Sequence, residues 1–163
     1  MPVSEKAKLI SRKTKSESGL LYLLPSEVQN AIDEKRIVFF QKNDDIIAFC
    51  IWNFYGEWCE ISALYVDIDY RRQGYFFIII QRLKTYFAST INKIFFFTRH
   101  PAVARAARIA GFSETSFFKL PFLVKLKILF HRLNIRRIFS YFKLLPIIFK
   151  TKMRVFVFQK PTD

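Results

Sequence analysis

Residues 58 to 88 read WCEISALYVDIDYRRQGYFFIIIQRLKTYFA, and the change of hydrophobic period inside this stretch decides the fold. Trp58 to Val66 follows a Gly56-Glu57 turn signal and is rich in β-branched and aromatic residues, so a strand is predicted there. Tyr70 to Gly74 is a basic loop, and Tyr75 to Ala88 carries apolar residues on nearly every side, as a buried helix does. When a strand passes through a loop into a helix, the first backbone N–H groups of that helix have no partner within it. An anion is stabilised there by those donors and by the helix dipole. Gly74 would let a ligand approach the backbone closely, while Arg71 and Arg72 add full charges at the same mouth. A basic strand-loop-helix is also a common surface feature, so the neighbouring segments have to be read with it.

Upstream, Ile37 to Phe40 and Ile46 to Tyr55 are two β-rich runs joined through Lys42-Asn-Asp-Asp45, a hairpin signal, and Trp58 to Val66 continues the meander. Residues 20 to 35 are predicted to be helical around Pro25-Ser26, with Ser26 as cap and Val28, Ala31 and Ile32 on one apolar side. Residues 1 to 18 are polar, basic and without a hydrophobic period, and are expected to be a mobile basic arm or an element that orders late. Downstream, Ile94 to Phe97 reads as a strand. Pro101 opens and Gly111 closes a helix over Ala102 to Ala110, and Phe112 to Phe118 and Met153 to Phe158 read as two last strands. This order predicts an α+β fold in which a mixed, mostly antiparallel sheet is flanked by helices, with residues 19 to 163 forming one domain.

Composition agrees with a folded chain. The 163 residues are 52% hydrophobic and 18% aromatic, with 20 Phe and 25% charged residues, which is too apolar for disorder. Cys50 and Cys59 are expected to be buried thiols. Neither a CxxC pair nor a Cys/His ligand spacing exists, so no metal site is predicted. No signal-like apolar stretch precedes Ser18 and no window approaches the run a transmembrane helix needs, so a cytoplasmic location is expected.

Charge is unevenly placed. The chain carries 27 Lys+Arg against 13 Asp+Glu, a net +14, and residues 115 to 163 hold 11 of the basic residues with Asp163 as their single acid. Attraction to an anionic partner, sensitive to salt, follows. Most of these charges lie in a stretch from Lys119 to Lys152, where Ile135, Ile138, Phe139, Phe142 and Leu145 recur at helical spacing opposite Arg136, Arg137 and Lys143. This is a cationic amphipathic pattern. It suits three roles: a helix lying on an anionic membrane surface, peripheral to the inner face; a nucleic-acid contact with Phe and Tyr141 stacking on bases; or an apolar stripe used in the core or in a homo-oligomer. His131 in the same stretch has no neighbours suited to ligation and is taken as structural.

At the central loop the chain resembles the GCN5-related N-acetyltransferase superfamily. That family's pyrophosphate loop reads Gln/Arg-x-x-Gly-x-Gly/Ala. Arg71 and Gly74 match its first two fixed positions, while Phe76 departs from the third. Leu64-Tyr-Val-Asp67 resembles the family's fourth strand, and Ala110-Gly111-Phe112 resembles the frequent ending of its fourth helix. The resemblance covers residues 20 to 118 and 153 to 160 and leaves 119 to 152 as an insertion between the last two strands.

The resemblance implies a splayed mixed sheet that takes acetyl-coenzyme A, or another acyl-coenzyme A, in its cleft and passes the acyl group to an amine-bearing acceptor. It implies a cofactor site of Leu64, Val66, Arg71, Arg72, Gln73, Gly74, Tyr75 and Phe76. Attack requires a neutral amine, so a base is needed, and Glu60, 14 residues before Gly74, matches the catalytic glutamate of the family's histone-acetylating branch. The other reading of Glu60 is a solvent-facing strand carboxylate. Many members carry an Asn at the start of the fourth helix and a Tyr four residues before the Gly-Phe pair. Here those positions hold His100 and Ala107. His100 is a substitute proton donor or simply a polar residue at a helix start. These departures leave a second function open, a catalytically inactive member of the fold that docks through its basic C-terminal third.

Overall fold

The computed structural model of the chain describes residues 2–17, 20–87, 91, 93–132 and 153–160. Six strands run in the order β1-β2-β3-β4-β6-β5: β1 (Ile37–Lys42), β2 (Asp45–Tyr55), β3 (Trp58–Val66), β4 (Lys93–Thr98), β5 (Ser113–Thr115) and β6 (Arg154–Gln159). Five helices accompany them: α1 (Glu5–Ser16), α2 (Pro25–Asp33), α3 (Tyr75–Tyr86), α4 (Pro101–Ile109) and α5 (Phe122–Arg132). The fold is the α+β arrangement expected, an open, mostly antiparallel sheet with helices. Two compact units compose it, residues 1–53 with 60–90, and residues 54–59 with 91–163.

In the first unit, β1 and β2 pair antiparallel from Ile37 opposite Ile51 to Lys42 opposite Asp45, with a register shift between Phe40 and Gln41. Asn43 and Asp44 make the turn with φ of 47° and 63°. That left-handed pair is what a two-residue hairpin turn requires, and Asn and Asp tolerate it better than other non-glycine residues. β2 is buried on both faces from Ile46 to Trp52, whereas β3 alternates: Cys59, Ile61, Ala63 and Tyr65 are buried, and Trp58, Ser62, Leu64 and Val66 are half-buried. Phe49, Ile51, Ala63 and Tyr65 meet Ala7 and Ile10 of α1 and Val28 and Ala31 of α2 in one core.

The expected N-terminal arm is instead helix α1, capped by the Ser4 side chain, which accepts from the Ala7 N–H at 3.2 Å. Its buried face is Ala7, Ile10, Ser11 and Thr14, at spacings of three, one and three. Two of those four are hydroxyl residues, so no hydrophobic period announces the helix. Both hydroxyls are satisfied: Ser11 Oγ donates to the Leu23 carbonyl at 2.7 Å, and Thr14 Oγ1 donates to the Ser11 carbonyl at 2.8 Å and accepts from the Leu23 N–H at 3.1 Å. A second correction concerns α2. It starts at Pro25 with Leu24 as its cap position, and the Glu27 carboxylate, not Ser26, receives the Leu24 N–H at 2.9 Å.

In the second unit, β4 pairs antiparallel with β6 from Lys93 opposite Gln159 to Thr98 opposite Arg154, and β5 pairs with β6 at Ser113 to Thr115. One face of these strands buries Phe95 and Val155 with Tyr55, Leu120, Val124 and Ile128. Phe96 stacks on Phe156 at 5.6 Å and meets the edge of Phe112 at 5.2 Å. The predicted strand from Phe112 to Phe118 is shortened to β5, because the Ser116 hydroxyl accepts from the Phe118 N–H at 3.3 Å and starts a 3-10 turn at Phe117–Lys119. Of the proposed insertion, this turn and α5 are described. The amphipathic pattern from Ile135 to Leu145 lies outside the described residues. Cys50 and Cys59 are both buried and are not joined in a disulfide.

Candidate functional site

The chemistry-bearing stretch lies on one strand-loop-helix element of the first unit. Period two along β3 puts Glu60, Leu64 and Val66 on the same face, opposite the fully buried set Cys59, Ile61, Ala63 and Tyr65. Glu60 is 1% exposed, so it is a buried carboxylate and not the solvent-facing alternative. After Val66 the chain turns through a 3-10 segment, Ile68–Tyr70, started by Asp67, and enters α3 at Gly74.

The entry into α3 has an unusual backbone. Gly74 is left-handed with φ 85°, and Arg72 takes φ 65°. An arginine there costs on the order of 1 kcal/mol, which the surrounding contacts must hold. A Cβ built on Gly74 would have no atom within 4 Å, so the backbone at this point borders open space and the Phe76 ring does not close it. No side chain caps α3, and its first turn contains no acidic residue. The donors that a Ser or Asp cap would satisfy are therefore left to something else, and an anion suits them.

The remaining residues of the loop are held by the protein. Arg71 donates through Nε to the Val66 carbonyl at 3.0 Å and through a terminal nitrogen to Glu17 at 2.6 Å. Its charge is thus engaged within the fold, and the exposed Arg72 stands at the mouth. Gln73 donates to the Asp69 carbonyl at 2.9 Å. Tyr75 packs edge-on against Phe40 at 5.6 Å and Tyr70 at 6.3 Å, and Phe76 meets Phe77 at 5.5 Å.

Beneath the loop lies a charge cluster that the sequence did not disclose. Lys13 of α1 donates to Asp45 and to Asp67, each at 3.0 Å, and Tyr65 donates to the same Asp67 oxygen at 2.9 Å. The Asp67 N–H reaches the Ile47 carbonyl at 2.8 Å. Burial pushes the Asp67 carboxyl up, but the hydrogen bonds from Lys13 and Tyr65 outweigh it and hold the group below its ordinary value. For Lys13, burial lowers and the bonds to Asp67 and Asp45 raise, with a net rise. Burial and then the hydrogen bond to Asp67 push Tyr65 up to about 12.

His100 belongs to the second unit. It caps α4, its Nδ1 accepting from the Ala102 N–H at 3.3 Å, while its own N–H donates to Thr98 Oγ1 at 3.1 Å. The ring is exposed. Ala107, on the same helix, is fully buried and leaves no exposed face on which a larger side chain could extend.

An α+β domain with an open, uncapped helix entry after a meander is an arrangement suited to an anionic ligand. The chain belongs to the acetyltransferase (GNAT) family, whose model matches residues 9–112. No curated protein matches the sequence. Among solved structures, Rv2747 from Mycobacterium tuberculosis, in complex with CoA and NLQ, is similar with a TM-score of 0.70 and 14% identity, covering 96% of this chain and 95% of that one. N-acetylglutamate synthase from Neisseria gonorrhoeae, complexed with coenzyme A and N-acetyl-glutamate, gives 0.67 and 15% identity over 96% of this chain. The chain spans about a third, 32%, of that enzyme's length. The ribosomal-protein-S18-alanine N-acetyltransferase from Escherichia coli gives 0.53 and 13% over 97% of this chain and 88% of its own. At these identities the likeness is one of fold.

Two outcomes are expected. Lys13→Met leaves Asp67 facing Asp45 without a cation and should lower stability by about 2 kcal/mol in chemical denaturation at neutral pH. The wild-type contribution from Asp67, whose folded value is depressed, is present above the ordinary carboxylate range and lost as pH falls through the lowered value. Those from Lys13 and Tyr65, whose folded values are raised, are full below their ordinary values and lost as pH climbs through the raised ones. The variant's stability should therefore fall off less as pH is lowered, because the Lys13 hydrogen bond and charge that hold Asp67 down are gone. Separately, Ala107→Tyr, which copies the residue common in the family, should overpack the α4 interface and lower stability by roughly 1–3 kcal/mol, read as a reduced denaturation midpoint.

Proposed function

We propose that the chain is an acyl-coenzyme A dependent N-acyltransferase that moves an acetyl group to an amine. The observation that carries this is the entry of α3: an uncapped helix start at a left-handed Gly74, with open space where a Cβ would stand. The residues present fit a diphosphate. Backbone donors at Tyr75, Phe76 and Phe77 would hold it, Arg72 would neutralise it, and Leu64 and Val66 would line the strand beside it. Family relatives solved with coenzyme A support the choice of ligand.

When bound, the cofactor supplies a thioester-activated acyl group. Glu60 is assigned as the base that takes a proton from the acceptor's ammonium, directly or through water, because only the neutral amine carries the attacking lone pair. Its place on the strand leading to the loop, with its carboxylate removed from solvent, suits that role. His100, weighed from the sequence as a substitute proton donor, is the cap of α4 in the second unit. With Nδ1 accepting from Ala102, the ring proton of its neutral form sits on Nε2. Ala107 cannot supply a proton, so this chain does not use the phenol that many members carry at that position.

Two measurements test this. Calorimetry of acetyl-coenzyme A binding to the full chain should give an affinity that Gly74→Ala lowers about tenfold, since the new Cβ enters the ligand's space, with only about 1 kcal/mol of stability lost to the positive φ. Gly74→Asp should abolish binding; binding that both variants leave intact would remove the proposed site. Thiol release from acetyl-coenzyme A across a panel of primary amines should fall by about 10²–10⁴ in kcat for Glu60→Gln, with cofactor affinity unchanged. A wild-type chain that binds the cofactor yet turns over no amine would instead assign it as a silent member of the family.

A further inference from the structure

The start of α5 presents large apolar side chains to solvent. Phe118 is 84% exposed, Phe122 and Leu123 are each 69% exposed, and Phe117 is 37% exposed. They are neighbours in space as well as in sequence. Lys125 donates to the Phe118 carbonyl at 3.1 Å, tying the 3-10 turn to the first turn of α5, and the Phe117 and Phe118 rings lie 6.2 Å apart. This is not core left uncovered by chance, because α5 has already used its other face: Val124 and Ile128, with Leu120 just before the helix, are buried against Phe95 and Val155. Four exposed large apolar residues within seven positions exceed the scattered singles of an ordinary surface.

Cations flank the patch along the sequence. Lys119 and Lys127 are exposed and Lys125 is half-buried, and from Thr115 to Thr162 the sequence holds no Asp or Glu. We propose that this face is a membrane-docking surface, in which Phe118, Phe122 and Leu123 enter the headgroup and acyl boundary of an anionic bilayer while Lys119 and Lys127 meet lipid phosphates. Aromatic and leucine side chains next to lysines partition into that boundary, and the lysines add preference for anionic lipid.

Other occupants fit less well. A second copy would bring the same lysines against these, in a chain of net charge +14. Nucleic acid would use the rings but gain little from Leu123, which offers no face on which a base can stack, whereas a bilayer takes all three apolar side chains. The docking is peripheral, since among the described residues no helix is long and apolar enough to cross a membrane.

The test is co-sedimentation of the full chain with vesicles of phosphatidylcholine alone and of an equimolar mixture of phosphatidylcholine and phosphatidylglycerol. Partition into the mixed vesicles should be at least about tenfold stronger. F118S/F122S/L123S should weaken it about a hundredfold, with an unchanged melting curve because the three side chains are exposed. K119E/K127E should remove most of the preference for anionic lipid. High salt should reduce binding without abolishing it, the apolar part being unscreened. Equal binding by F118S/F122S/L123S and wild type overturns the proposal, as does a wild-type chain that ignores both kinds of vesicle. A chain that prefers a single-stranded oligonucleotide and loses that affinity in F118S/F122S/L123S assigns the face to nucleic acid instead. Dimerisation that this variant abolishes assigns it to self-association.

Discussion

One ammonium group organises the loop on which the proposed activity depends. Lys13 lies between Asp45, at the start of β2, and Asp67, at the end of β3, and Tyr65 completes the cluster from the same strand. Three elements far apart in sequence are held at a shared, half-dry point, so α1, the hairpin and the chemistry-bearing loop cannot drift independently. Glu17 repeats the device one helical turn further on, where it takes the Arg71 guanidinium. The entry of α3 keeps its left-handed geometry, unfavourable at Arg72 and natural at Gly74, because the loop before it is fixed by these charged contacts. Partly buried pairs of this kind contribute less to net stability than to selecting a single conformation, since their desolvation offsets much of the attraction.

How much could be read in advance varied with how local the determining interactions are. β3 was legible to its end residues, Trp58 and Val66, because a turn signal and a period of two suffice. The hairpin turn followed from Asn43-Asp44, and Pro101 and Gly111 bracketed α4. Helix α1 was not legible, because its inner face alternates Ala7 and Ile10 with Ser11 and Thr14, whose hydroxyls are satisfied only once Leu23 is in place. The cap of α2 was assigned to Ser26, whereas Glu27 reaches back to Leu24.

The same division runs through the candidate site. The loop from Arg71 to Phe76 and the shared face of Glu60, Leu64 and Val66 follow from local pattern. That Glu60 is buried does not, since a strand carboxylate ordinarily faces water and its cover comes from elsewhere in the fold. Arg71, placed at the mouth by local pattern, has a partner that pattern cannot show: Glu17 stands 54 residues away in a segment read as an arm. His100, weighed as donor or helix cap, is a cap by geometry.

A phenylalanine-rich sheet also faces a hazard unrelated to catalysis. Its rings invite further strands to add at an open margin, and a long apolar border would template fibrillar growth. On the β5 side that margin is three residues long, Ser113 to Thr115, with none of the three a large apolar residue. Glu114 there is held by Arg108 and lies 3.7 Å from Arg154, so the short margin carries charge where an apolar side chain would invite association. Colloidal solubility of so aromatic a chain is thereby guarded at this border by one carboxylate and two guanidinium groups.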